Sequence, residues 1–221
     1  MIETVLHPRV IEDKDWATVL FIIAFAIIAI TKSVFENRFS EFSRLIISSK
    51  YIKIYRDTSP LMSWFNIMLF FVQLLSCAFF ILLLFHYFGT VSKSDWIFYI
   101  RIITFLGIFI LSKHLVEKII ATAFNIEEFV ERFNFKKVSY RTYIGLLLLP
   151  VNLIFFYNDN LSKNIILATI FLVLLLNVFS YVISLKNYQN LLFGKMFYFI
   201  LYLCALEIAP YYFMYYWFTK S

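Results

Sequence analysis

Glu207 stands near the middle of the apolar stretch 196–218, and Arg101 stands inside another, 96–112. An ionised side chain at the centre of a bilayer costs about 2.5 to 3.5 kcal/mol on insertion scales, so each of these two should face other helices and have a partner. Two readings are open. In one, Glu207 and Arg101 form an ion pair, the long Arg stem covering the difference in depth. In the other, Arg101 snorkels to the membrane surface and Glu207 stays protonated.

Neutral polar residues form stripes around this pair. Asn66, Gln73 and Ser76 are offset by 7 and 3 in the stretch 61–87, and Thr169, Asn177, Ser180 and Ser184 by 8, 3 and 4 in the stretch 164–185. Each set falls on one helical face. Such stripes join helices through interhelical hydrogen bonds more often than they line a substrate route. His86, near the end of its stretch, is a candidate titrating group for an external proton supply, whereas His114, beside Lys113 and Glu117, reads as a surface residue. Pro150 and Pro210 each remove a backbone hydrogen bond inside an apolar stretch, and Asn152 is placed to partner a carbonyl freed by Pro150. Transporters built from inverted repeats show paired interruptions in matching positions of two halves. The fourth and sixth stretches, which hold these prolines, do not correspond in that way.

Several kinds of chemistry have no residues to carry them. The sequence contains no His-Glu-x-x-His pair, Gly-x-Ser-x-Gly elbow, glycine-rich phosphate loop or paired intramembrane aspartates. His7, His86 and His114 lie in different segments, so no metal or haem site is read from them, and no cofactor is expected. Cys77 and Cys204 lie within apolar stretches and read as small buried hydrophobes.

The elements that position these groups follow from hydropathy. Of the 221 residues 62% are hydrophobic, with a mean hydropathy of +0.80, well above the roughly 45 to 50% apolar content of soluble domains. Six apolar stretches, at 16–31, 61–87, 96–112, 143–157, 164–185 and 196–218, predict an all-α polytopic membrane bundle of six transmembrane helices in one domain, 1–221. With four glycines and four prolines there is no flexible linker or detectable repeat.

Charge sets the orientation. Six Lys or Arg lie between Lys32 and Arg56, six between Lys113 and Arg141, and two between Lys186 and Lys195, fourteen of the twenty in all. The positive-inside rule therefore places these connections in the cytoplasm and both termini outside, in the periplasm. The net charge of +6 thus reads as a topology signal and not as nucleic-acid binding. Acidic residues Glu12, Asp13 and Asp15 precede the first stretch, the reverse of a signal peptide, so an uncleaved span is expected. Trp16, Trp96 and Trp217 then fall at the outer interface and Trp64 at the inner one.

Shorter elements lie between the spans. Phe35, Phe39, Phe42 and Ile46 recur at helical spacing among Arg38, Glu41 and Arg44, which predicts an interfacial amphipathic helix held by its apolar stripe and anionic lipid. The alternative is a helix packed on the bundle. The third stretch extends helically from Lys113 to Phe124, and Asn125 with Glu128 resembles a capping box opening a short helix through Phe133.

The segment YLCALEIAP, Tyr202 to Pro210, resembles a signature of a bacterial inner-membrane family of the Bacteroidota catalogued as domain of unknown function 4271. GLLLLPVNLI, Gly145 to Ile154, is similar to that family's fourth-span motif, and the opening at Trp16 matches as well. The likeness covers nearly the whole chain, with Ala209 departing from the larger aliphatic expected there. It implies inner-membrane residence and marks Cys204, Glu207, Pro210, Pro150 and Asn152 as motif positions, but it carries no activity.

The expectation from sequence is an integral inner-membrane protein of the cell envelope, a non-enzymatic subunit or assembly factor, whose partners are the lipid bilayer and another membrane protein. Two other readings stand behind it: a small proton-coupled transporter using Glu207, and a membrane enzyme acting on a lipid-type substrate.

Overall fold

A computed structural model of the chain describes residues 14–45, 48, 50–55, 63–89, 91–123, 127–158 and 162–186. They form seven helices and, among the described residues, no strand: α1 (Asp15–Val34), α2 (Glu36–Ser43), α3 (Lys50–Tyr55), α4 (Trp64–Tyr87), α5 (Trp96–Ala123), α6 (Glu127–Tyr157) and α7 (Lys163–Lys186). Four helical segments, Asp15–Val34, Trp64–Tyr87, Trp96–Ala123 and Val130–Tyr157, are long and apolar enough to cross a membrane. They overlap the first four predicted spans, the third and fourth being longer than the predicted 96–112 and 143–157. The fifth corresponds to α7, whose shorter apolar segment is Asn164–Ser180, and the sixth, 196–218, lies outside the described residues.

Local sequence fixes the ends of several helices. Asp15 in the first turn of α1 and Lys32 in its last complement the helix dipole. Gly89 ends α4 at φ +77, a left-handed conformation that a side chain would strain, and its N–H donates to the His86 carbonyl at 2.9 Å. Asp95 opens α5, its carboxylate accepting from the Phe98 N–H at 3.0 Å.

Contacts give the direction of each helix. Gln73 meets Thr142, Ser76 meets Asn152 and Phe79 meets Phe156, so α4 and α6 run parallel. Phe21 and Thr31 of α1 meet Phe79 and Met68 of α4, and Phe98 of α5 meets Phe85, so α1 and α5 run against α4. The α4–α6 interface is the most extensive, and α7 packs on α6. One end of the bundle carries Trp16, His86, Trp96 and Tyr157, and the opposite end carries Arg38, Lys50, Trp64 and Lys137. These are called below the Trp16 end and the Arg38 end.

Two buried clusters lie along this axis. At the Trp16 end, Phe21, Phe79, Tyr99 and Phe156 pack around Trp16, which stacks on Phe79 at 5.7 Å and meets Phe156 edge-on at 6.0 Å. Trp16, in the first turn of α1, therefore faces the bundle from one end of it. Trp64 and Trp96 are exposed at opposite ends, as expected, and Trp217 lies outside the described residues. At the Arg38 end, Phe42, Leu45, Tyr51, Phe65 and Phe135 form the second cluster, with Phe35 and Phe39 against it.

That second cluster favours the alternative reading of α2, a helix packed on the bundle. Its aromatic stripe turns onto α3, α4 and α6, with Phe42 packing ring-on-ring against Tyr51, Phe65 and Tyr143. The short helix predicted through Phe133 is corrected. The helix starting at Glu127 continues without a break to Tyr157, 31 residues or about 46 Å, and absorbs the fourth span.

Gly145 sets the distance between α4 and α6. A Cβ at this position would lie 2.8 Å from Gln73 Cγ and 3.1 Å from Gln73 Cα, and the latter is backbone that cannot turn aside. A Cβ at Gly107 of α5 would meet only Leu74 Cδ1 at 3.6 Å, an ordinary contact. Gly145→Val should lower stability by about 1 to 3 kcal/mol, whereas Gly107→Ala should be neutral or mildly stabilising. Thermal unfolding of the two variants in one detergent tests the contrast, and equal midpoints would remove the close-approach argument.

Candidate functional site

Among the described residues the polar side chains within the bundle gather along one seam, formed by α4 and α6 with α5 joining at the Arg38 end. Nearest that end, Glu117 of α5 is buried. One carboxylate oxygen accepts from Lys137 Nζ at 2.9 Å and the other from Asn134 Nδ2 at 2.8 Å, both on α6. Lys113 and Lys136 are buried on the same two helices. An ammonium on one carboxylate oxygen and an amide donor on the other make a charge-assisted contact between α5 and α6.

Further along, Thr142 Oγ1 donates to Gln73 Oε1 at 2.9 Å across the Gly145 contact. Both are buried. Nearer the Trp16 end, Asn152 Nδ2 donates to the Ser76 carbonyl at 2.7 Å and lies 3.2 Å from Ser76 Oγ. Asn152 is completely buried, and its Oδ1 accepts from no donor among the described residues, as does Asn134 Oδ1. The expectation that Asn152 partners a carbonyl freed by Pro150 is thus corrected. The pair lie two positions apart on the helix, about 200° of rotation, which turns Asn152 to α4 while Pro150 is exposed.

Beside the seam lies an aromatic seat for a cation. Arg38 of α2 is buried with its guanidinium 4.4 Å from the Phe65 ring centroid and 5.0 Å from that of Tyr55, and it donates to Asn66 Oδ1 at 3.2 Å. Ring quadrupoles supply the negative potential that a carboxylate would otherwise provide. Burial raises the Tyr51 phenol above its usual range, and the nearby Arg38 charge acts in the opposite direction.

The residues singled out from sequence fare differently. Gln73, Ser76 and Asn66 of the α4 stripe all bond across helices, as a helix-joining stripe should. In the α7 stripe, Thr169, Asn177 and Ser180 each donate to the carbonyl four residues back, and Asn177 is exposed. Own-helix bonding satisfies a polar side chain on an exposed helix face. His86 Nδ1 lies 2.9 Å from the Val91 carbonyl, tying the end of α4 to the following loop. Arg101 is exposed on α5, while Glu207, Cys204 and Pro210 lie outside the described residues.

Glu117, Asn134, Lys137 and Thr142 are seam members that the sequence reading missed. Lys113 and Glu117 were legible as an i,i+4 pair, a pattern that says nothing about burial. Asn134 and Lys137 appeared to lie in a connection because α6 was divided in two. The available signal was Gly145, a glycine in an apolar helix, which marks close approach and sets which α6 face meets α4.

What this arrangement does chemically is hold helices together, because Glu117 with Lys137 and Asn134, Gln73 with Thr142, and Ser76 with Asn152 meet across helix interfaces. Glu117→Ala or Lys137→Ala alone should each cost about 3 kcal/mol by leaving an uncompensated buried charge. The double change should cost clearly less than the sum. A double-mutant cycle on thermal unfolding measures this, and additive losses would show that the two groups act separately.

Searches of curated proteins and of solved structures return no match to this chain. A family match covers residues 17–218, from the start of α1 through the stretch that holds Glu207. The chain belongs to the family described as a domain of unknown function (DUF4271).

Proposed function

We propose that the chain is an integral protein of the bacterial cytoplasmic membrane that crosses it six times with both termini outside, and that it serves as a non-enzymatic subunit or assembly factor of a cell-envelope complex. The supporting observation is the seam itself. Gln73, Ser76, Thr142 and Asn152, the buried polar side chains at mid-length of α4 and α6, are engaged with one another across the interface. A substrate route would need such groups facing a common opening. Helices that present large apolar side chains outward, such as Ile22 and Phe25 of α1 and Phe171 and Leu174 of α7, suit lipid and partner helices. The basic residues gathered around the Arg38 end support the orientation.

Two measurements test this reading. Crosslinking in native membranes followed by mass spectrometry should recover one stoichiometric membrane partner that also co-purifies in mild detergent; repeated recovery of the chain alone would overturn the subunit role. For topology, Arg44→Cys and Ser92→Cys are placed separately in a background with Cys77 and Cys204 replaced by Ala, both positions being exposed. An impermeant maleimide applied to intact spheroplasts should label Ser92→Cys at once and Arg44→Cys only after lysis. The opposite pattern would reverse the orientation.

A further inference from the structure

α5 carries an exposed stripe formed by Ile97, Arg101, Thr104, Ile108, Leu111 and Leu115. Successive spacings of 4, 3, 4, 3 and 4 are those of a seam that packs against one further helix. Arg101 is part of it. Its exposed guanidinium engages no carboxylate among the described residues, and a guanidinium within an apolar stripe requires one or a route to water.

The described residues end at Lys186, which leaves 35 residues of chain. Their apolar stretch 196–218 is long enough to cross a bilayer and contains an ionisable residue, Glu207. Along it Ile200, Leu203, Glu207, Pro210 and Met214 recur at the same alternating spacings of 3 and 4 as the α5 stripe, with a carboxylate among them. The join is short but sufficient. Residues 187–195 can span about 30 Å. α5 and α7 both flank α6, so the distance to cross is about two interhelical separations, roughly 20 Å.

We infer that the segment 196–218 seats on the exposed stripe of α5, antiparallel to it, with Glu207 paired to Arg101. As helices, Arg101 lies about 7.5 Å along α5 from Trp96, and Glu207 about 16 Å along the segment from Phe218. The offset is within the combined reach of the two side chains, and it directs the Arg stem toward the interior. Leu111 and Leu203 fall at matching depth. The inference rests on the membrane-crossing part of the proposed topology and not on the existence of a partner, which the maleimide labelling and the partner recovery test separately.

The experiment uses the full chain in native membranes with Cys77 and Cys204 replaced by Ala and a protease site inserted within 187–195. Leu111→Cys is combined with Leu203→Cys, or with Ala205→Cys on another face of the segment. After oxidation and proteolysis, the Leu203→Cys pair should leave the two fragments of one chain joined and the Ala205→Cys pair should not. Ser76→Cys with Asn152→Cys is the control for a folded α4–α6 interface. Absence of the 111–203 bond while the control forms overturns the inference, and so does a bond that joins two chains. Arg101→Glu or Glu207→Arg alone should reduce folded chain in membranes by at least about tenfold, and the exchange of both should restore most of it; failure of the exchange while the 111–203 bond still forms overturns the ion pair.

Discussion

Lipid tails are as apolar as leucine, so burial of apolar surface does not by itself hold one helix against another inside a bilayer. Close backbone approach and directed hydrogen bonds have to do it. In this chain both occur at one place, where Gly145 lies against Gln73 and Thr142 bonds to the same glutamine. The Ser76–Asn152 contact follows from that register, since with α4 and α6 parallel a single matched pair fixes the others. α1 and α5 then pack on the paired helices from outside, and the cluster of Phe21, Phe79, Tyr99 and Phe156 around Trp16 closes the opposite end.

The Arg38 end uses different physics. There the chain buries cations, and it does so in two ways: the Glu117 carboxylate receives Lys137, and the Phe65 and Tyr55 rings receive Arg38. Both arrangements tie a short or projecting element to the bundle, α2 onto α4 in one case and α5 onto α6 in the other. An isolated eight-residue helix is marginal in water, so α2 depends on these tertiary contacts for its existence.

Helix existence was legible in the sequence wherever hydropathy alone decides it, as for α4 and α5, whose starts at Trp64 and Trp96 fall within three residues of the predicted ones. The role of Gln73, Ser76 and Asn66 was legible too, because offsets of 7 and 3 put them on one face. What the sequence could not give is the partner of each face. The aromatic stripe of α2 and the polar stripe of α7 have equally clear periodicity, yet the first turns to protein while Asn177 of the second bonds to its own helix. Period identifies a face, and only tertiary packing decides what it meets. The long α6 was missed because its charged first half and apolar second half read as two elements, whereas backbone hydrogen bonding is indifferent to that change in composition.

The parallel pairing of α4 and α6 has a consequence for biosynthesis. If the helices leave the ribosome and enter lipid in order, α4 arrives before the residues that satisfy it, with all of α5 and half of α6 still to be made. Gln73 and the Ser76 hydroxyl would wait without Thr142 and Asn152 for some seventy residues of synthesis, a matter of seconds at ordinary elongation rates. During that interval α4 is safer beside the insertion machinery, or beside a helper protein with polar groups of its own, than dispersed in the bilayer. Maturation of this fold is thus gated by the arrival of its latest-made central helix.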